Sequence, residues 1–101
     1  MSQASVTAAG GGELMLTGVI DYRTGPALRE QGAALIKASI AAGLMLDCSG
    51  VQKSSSVGLA LILAFMRDAQ ALNKSLTVQA LPEDMQEIAQ VSGLTELLQH
   101  H

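Results

Sequence analysis

Aromatic side chains are almost missing from this sequence, which has one tyrosine, one phenylalanine and no tryptophan. Stacking on bases or sugar rings usually needs two or more rings on one surface, so that kind of recognition has little material here. Basic residues are also scarce. Six lysines and arginines stand against nine acids, for a net charge of −3, and they are scattered singly, which leaves no positive stripe for a phosphate backbone. Nucleic acid is therefore not an expected partner. Cys48 is the single thiol and forbids an intramolecular disulfide; the opening MSQASVTAAGGG has neither a basic nor an apolar leader region, so a reducing cytosol is expected. The longest wholly apolar or glycine run, residues 57–66, is about half of the roughly 20 residues that a spanning helix requires. No membrane span is expected.

The motifs of chemistry are missing as well. No G-x-x-x-x-G-K-[ST] loop occurs, so ATP cannot be cradled in that manner and any nucleotide hydrolysis belongs to a partner. Gly10-Gly11-Gly12 precedes a strand, whereas a dinucleotide fingerprint must follow one and open a helix. Cys48 has no base to activate it, because the only histidines, His100 and His101, are terminal. Those two histidines are either native or the remnant of a purification tag, and without a Cys or acid cluster they are weak metal ligands. No catalytic residue, metal or cofactor is expected, and the chain does not read as an enzyme.

What the sequence does have is aliphatic bulk. Hydrophobic residues make up 49% and charged residues 15%, which suits one compact domain without staples. Residues 1–12 read as a flexible segment with room for a short strand over residues 4–7, residues 13–98 as the domain, and residues 99–101 as a tail. Glu13-Leu14-Met15-Leu16-Thr17 predicts a strand that closes at Gly18. Thr24-Gly25-Pro26 opens a helix that runs to about Ala38, with Leu28, Leu35 and Ile36 inward and Arg29, Glu30 and Lys37 on the wet face. Residues 43–48 form a short apolar run bounded by Gly43 and Ser49-Gly50, the pattern of a buried parallel strand. Ser54-Ser55-Ser56 offers caps for a helix from about Val57 to Leu72. Residues 75–80 alternate as a half-buried strand does, and Pro82-Glu83-Asp84 opens a helix that buries Met85, Ile88 and Ala89. A last short helix or turn spans residues 93–98. Strand and helix alternation in so short a chain predicts an α/β fold: a mixed sheet of about four strands, parallel in its middle, with helices mainly on one face.

The segment from Val57 to Met66 is apolar around its whole circumference. Either other elements bury it from both sides, or part of it stays open as a docking patch. Gly58 in its first turn allows close approach, of a partner or of the sheet beneath. Ser56 is read as an ordinary cap, or as a hydroxyl whose phosphate the helix N-terminus would favour. Asp47, at the end of its strand, and Asp21 are read mainly as acceptors that structure the loops they precede, with Ser49 beside Asp47.

Asp47-Cys48-Ser49-Gly50-Val51, followed by Ser55-Ser56-Val57-Gly58-Leu59-Ala60, resembles the STAS domain signature, in which a D-x-S-x-V strand leads through a loop to D-[ST]-x-G-[LA] at a helix start. Leu16-Thr17-Gly18-Val19-Ile20-Asp21 is similar to the family's earlier L-x-G-x-[LI]-D segment. The family includes anti-sigma factor antagonists, which bind a kinase-like anti-sigma protein, and small subunits of the Mla phospholipid transport system, which bind an ABC-type ATPase. The resemblance implies a noncatalytic protein whose partner-binding surface comprises Ser54, Ser55, Ser56, Val57, Gly58 and Leu59, extended along the apolar helix to Ile62. One position departs from the regulatory pattern: Ser55 stands where an acid usually precedes the phosphorylatable hydroxyl, here Ser56. The favoured expectation is a cytoplasmic subunit, peripheral to the inner membrane, that binds the ATPase of a phospholipid ABC transporter and through it the permease, in support of outer-membrane lipid asymmetry. The alternative is an anti-sigma factor antagonist switched by phosphorylation at Ser56.

Overall fold

In the computed structural model, residues 4–94 are described. Residues 95–98 of the expected last helix, and His100 and His101, lie outside them. The elements run β1 (Ser5–Gly10), β2 (Glu13–Ile20), α1 (Gly25–Ala38), β3 (Gly43–Ser54), α2 (Ser56–Ala71), β4 (Ser75–Gln79) and α3 (Glu83–Val91). The sheet order is β1-β2-β3-β4, with β1 antiparallel to β2 and both β2–β3 and β3–β4 parallel. This is the predicted mixed sheet. Leu14, Leu16 and Ile20 of β2, Leu44, Leu46 and Cys48 of β3, and Leu76 of β4 all point to one side, as period-two alternation requires. There they meet Leu28 and Ile36 of α1, Ile62 and Phe65 of α2, and Met85 and Ala89 of α3. The other face carries Thr7, Met15, Met45 and Thr77 at exposed or half-buried positions.

Three strand bounds differ from expectation. β1 reaches Gly10 and pairs with β2 along its length, so residues 5–10 belong to the sheet. Gly10, Gly11 and Gly12 then turn the chain at φ of 91°, 61° and 84°, a run of left-handed conformations that only glycine adopts freely. β2 does not stop at Gly18, whose φ of 94° sits inside the strand, but continues to Ile20. β3 likewise passes Ser49-Gly50 and ends at Ser54. It does so by bulging twice: β3 advances from Asp47 to Gly50 while β2 moves from Met15 to Thr17, and from Val51 to Lys53 while β2 moves from Gly18 to Val19. Asp47 is thus in mid-strand, and its Oδ1 accepts from the Ser49 N–H at 2.9 Å across the first bulge.

The helix ends have local causes. α1 has Pro26 in its first turn, and Lys74 Nζ donates to the Ile36 carbonyl at 2.6 Å and to the Ser39 carbonyl, placing a cation on the negative end of the helix. Arg29 is not simply on the wet face, since its guanidinium forms a bidentate pair with Asp68 of α2. α2 closes on Asn73 at φ 60°, with Lys74 N–H donating to the Ala69 carbonyl (2.8 Å) and Asn73 N–H to Gln70 (3.0 Å). α3 ends the same way at Gly93, where Leu94 N–H donates to Ala89.

Of the two fates open to the apolar α2, burial takes the larger share. It lies between α1 and α3 over the sheet, and Gly58, Leu59, Leu61, Ile62, Ala64, Phe65 and Ala69 are buried. What reaches solvent is centred on a stripe of Ser56, Ala60, half-buried Leu63, Arg67, Gln70 and Ala71, spaced so that they lie on one helix face. Among the described residues no helix is long and apolar enough to cross a membrane.

Candidate functional site

Parallel strands followed by helices bring the C-terminal ends of β2 and β3 and the N-termini of α1 and α2 to one edge of the sheet. In open sheets of this kind, functional groups gather at that edge. Here the edge is built around the β3–α2 junction, which is one residue long. Ser54 ends β3, Ser55 is the cap and Ser56 is the first residue of α2, so the loop expected over these three serines is a tight corner. The Ser55 N–H donates to the Ile20 carbonyl at 3.2 Å, fixing the corner to the end of β2. The Ser55 hydroxyl accepts from the Val57 N–H at 3.2 Å. Capping therefore falls to Ser55, not Ser56.

Ser54 is half-buried and turned inward, its Oγ donating to the Ser55 carbonyl at 2.9 Å. A Cβ at Gly58 would lie 2.1 Å from that oxygen and 3.3 Å from Met85 Sδ, so the space beside Gly58 is filled by the protein itself. Of the seven residues expected to bind a partner, Ser55 and Ser56 are exposed, and Ser54 and Val57 are half-exposed. Gly58 is buried and Leu59 keeps 4% of its surface, while Ile62 keeps none. Ile62 points into the core against the sheet and has no atom to offer a partner. Leu63 and Ala60 occupy the outward positions instead. The sequence hid this because every residue around the helix is apolar, so no polar stripe marks the outer face.

Ser56 stands at the positive end of α2, whose first turn contains no acidic residue. Among the described residues its hydroxyl forms no hydrogen bond. It can meet a partner's acceptor or donor, or carry a modification, without breaking an internal contact.

Beside the corner runs the loop from β2 to α1. Asp21 Oδ1 accepts from the N–H groups of Arg23 (2.9 Å) and Thr24 (3.2 Å), and these bonds hold its carboxyl below the usual range. Thr24 Oγ1 accepts from Asp21 N–H and donates to the Val19 carbonyl, both at 3.0 Å. These bonds tie Asp21 to the backbone of its own loop. Tyr22, 77% exposed, lies under the Arg23 guanidinium, 5.8 Å from ring centroid to Cζ. Sequence reasoning singled out neither residue, although the one tyrosine beside an arginine, directly after the matched L-x-G-x-[LI]-D segment, was a usable signal.

Asp47 and Ser49 are in mid-strand rather than at the site. The bond from Ser49 N–H also lowers the Asp47 carboxyl, so Asp47 is charged at neutral pH while it pins the bulge. Burial pushes the neighbouring Cys48 thiol up to about 12, with the Asp47 charge adding to the shift. At 1% exposure Cys48 is a packing residue. Among the described residues no three His, Cys, Asp or Glu side chains group as metal ligands do.

A family model described as "Mlab, STAS domain" matches residues 5–99. No curated protein matches the chain in sequence. Several solved structures do match in fold. A chain of the Acinetobacter MlaFEDB complex, in an ATP-bound conformation, is 26% identical with a TM-score of 0.75, over 85% of this chain and 90% of that one. An anti-sigma factor antagonist from Mycobacterium paratuberculosis is 24% identical with a TM-score of 0.73, over 96% and 82%. The Bacillus cell fate determinant SpoIIAA in its phosphorylated form is 18% identical with a TM-score of 0.65, over 90% and 84%.

Proposed function

The chain belongs to the STAS domain family, and from that premise we propose that it is a noncatalytic subunit that docks on the ATPase of a phospholipid ABC transporter of the Mla type. The observation that carries this reading is the likeness to a chain of the MlaFEDB complex, at 26% identity over nine-tenths of that chain. The reading is consistent with the site. A corner held by backbone hydrogen bonds, an exposed Ser56 and an outward stripe of Ala60 and Leu63 offer contact area and no reactive group. On this reading the ATPase supplies nucleotide and magnesium sites, and this chain supplies a rigid surface centred on Ser56. The permease is met through the ATPase, which puts the protein on the cytoplasmic side of the inner membrane in a system that maintains outer-membrane lipid asymmetry.

A second reading, an anti-sigma factor antagonist switched at Ser56, draws on the exposed, unbonded Ser56 hydroxyl at a helix N-terminus. It also draws on the Mycobacterium paratuberculosis antagonist and on SpoIIAA, itself described as an anti-sigma factor antagonist, whose likeness to this chain extends to the fold. Ser55 counts against it, because a neutral cap stands where the regulatory pattern has an acid. Affinity capture from the native cell in mild detergent, with Ser56 checked for phosphate, separates the two. The transporter reading predicts an ABC ATPase and permease with unmodified Ser56. A soluble anti-sigma kinase together with phosphate on Ser56 would replace it with the switch.

A further inference from the structure

The docking surface proposed above has a neighbour that is built unlike an ordinary surface loop. Tyr22 and Phe65 are the only aromatic residues of the chain; Phe65 is wholly buried, while Tyr22 is 77% exposed. A single exposed ring is unremarkable by itself. This one is held. Asp21 and Thr24 close the loop on both sides of it with four hydrogen bonds between 2.9 and 3.2 Å, and the Arg23 guanidinium lies over its face. The backbone that carries the ring and the cation is thus fixed before a partner arrives, so less ordering is left to binding than on a mobile loop, and tyrosine and arginine are favoured contact residues on such a frame.

The loop is also continuous with the α2 corner. Ile20, two residues before Tyr22, accepts the Ser55 N–H, and a Cβ at Gly25 would lie 3.0 Å from Val57 Cγ1. A partner seated on Ser56 therefore has the loop beside it. The Arg23 side chain is 74% exposed and touches Asp21 through one nitrogen at 3.5 Å, which leaves other guanidinium donors free. Its charge has the same sign as the adjoining helix end, whose first turn has no acid to offset it. A carboxylate suits both.

We infer that Tyr22 and Arg23 select the partner at this site: they fit a protein surface with a flat apolar patch for the ring beside an acidic side chain for the guanidinium. The inference rests on the docking reading and identifies the part of the ATPase surface that must be present. It is tested by titrating the purified ATPase of the same transporter with wild-type protein, Tyr22→Ala, Tyr22→Phe and Arg23→Ala. Tyr22→Ala is expected to weaken binding by about tenfold or more, Tyr22→Phe by less than about threefold, and Arg23→Ala to weaken it most at low salt. Thermal melting of Tyr22→Ala should match the wild type, since the ring is exposed. Wild-type binding with Tyr22→Ala unchanged overturns this inference and leaves the docking reading standing. No binding by the wild type overturns both.

Discussion

Gly32 shows how tightly α1 is set against α2. A Cβ built there would lie 2.3 Å from two carbons of the Phe65 ring, and that ring has no exposed surface into which to retreat. Replacing a mid-helix glycine by alanine normally gains up to about 1 kcal/mol. Here overpacking, at about 1–3 kcal/mol, outweighs that gain, so Gly32→Ala should lower stability and the melting temperature. Thermal denaturation followed by circular dichroism checks the sign; a melting point raised by the substitution would mean that the helices are not so close. The sequence marked Phe65 as apolar but had no means of pairing it with Gly32, because that contact joins two elements.

At the scale of elements, the start of α2 separates two serines that propensity cannot tell apart. Three serines in a row score alike as caps, and the choice falls to Ser55 because its Oγ accepts from the Val57 N–H in a corner that the bond from Ser55 N–H to the Ile20 carbonyl ties to β2. Ser55→Ala should therefore cost about 1 kcal/mol of stability, whereas Ser56→Ala should leave it within about 0.5 kcal/mol. Urea titration of both variants would show this, and the reverse order would contradict the observed cap. The bounds of α1 were legible for the opposite reason, since Thr24-Gly25-Pro26 is a local start signal. β3 was half legible. Its apolar half follows from periodicity, but Ser49-Gly50 looks like a stop, and the bulges that carry the strand through to Ser54 depend on pairing with β2. The outer face of α2 was not legible at all, because its leucines and alanines are alike in type and differ only in which neighbours cover them.

For the whole molecule, the order of strands and helices was enough to predict the mixed sheet with helices on one face, since right-handed crossovers leave few alternatives. The same topology explains why the site lies where it does, with the ends of β2 and β3 and the starts of α1 and α2 on one edge. On the transporter reading this edge, centred on Ser56, binds the ATPase. Glutamate at Ser56 separates binding from folding, because an acid in the first turn of α2 should stabilise the helix by about 0.3–1 kcal/mol while placing charge and bulk in the interface. The most direct measurement is the affinity of the purified ATPase for wild-type protein, Ser56→Ala and Ser56→Glu, with the melting temperature of each recorded alongside. Ser56→Ala is expected to stay close to the wild type, while Ser56→Glu should lose affinity by about tenfold or more with no loss of thermal stability. Equal binding by all three, or no binding by the wild type, would contradict that reading.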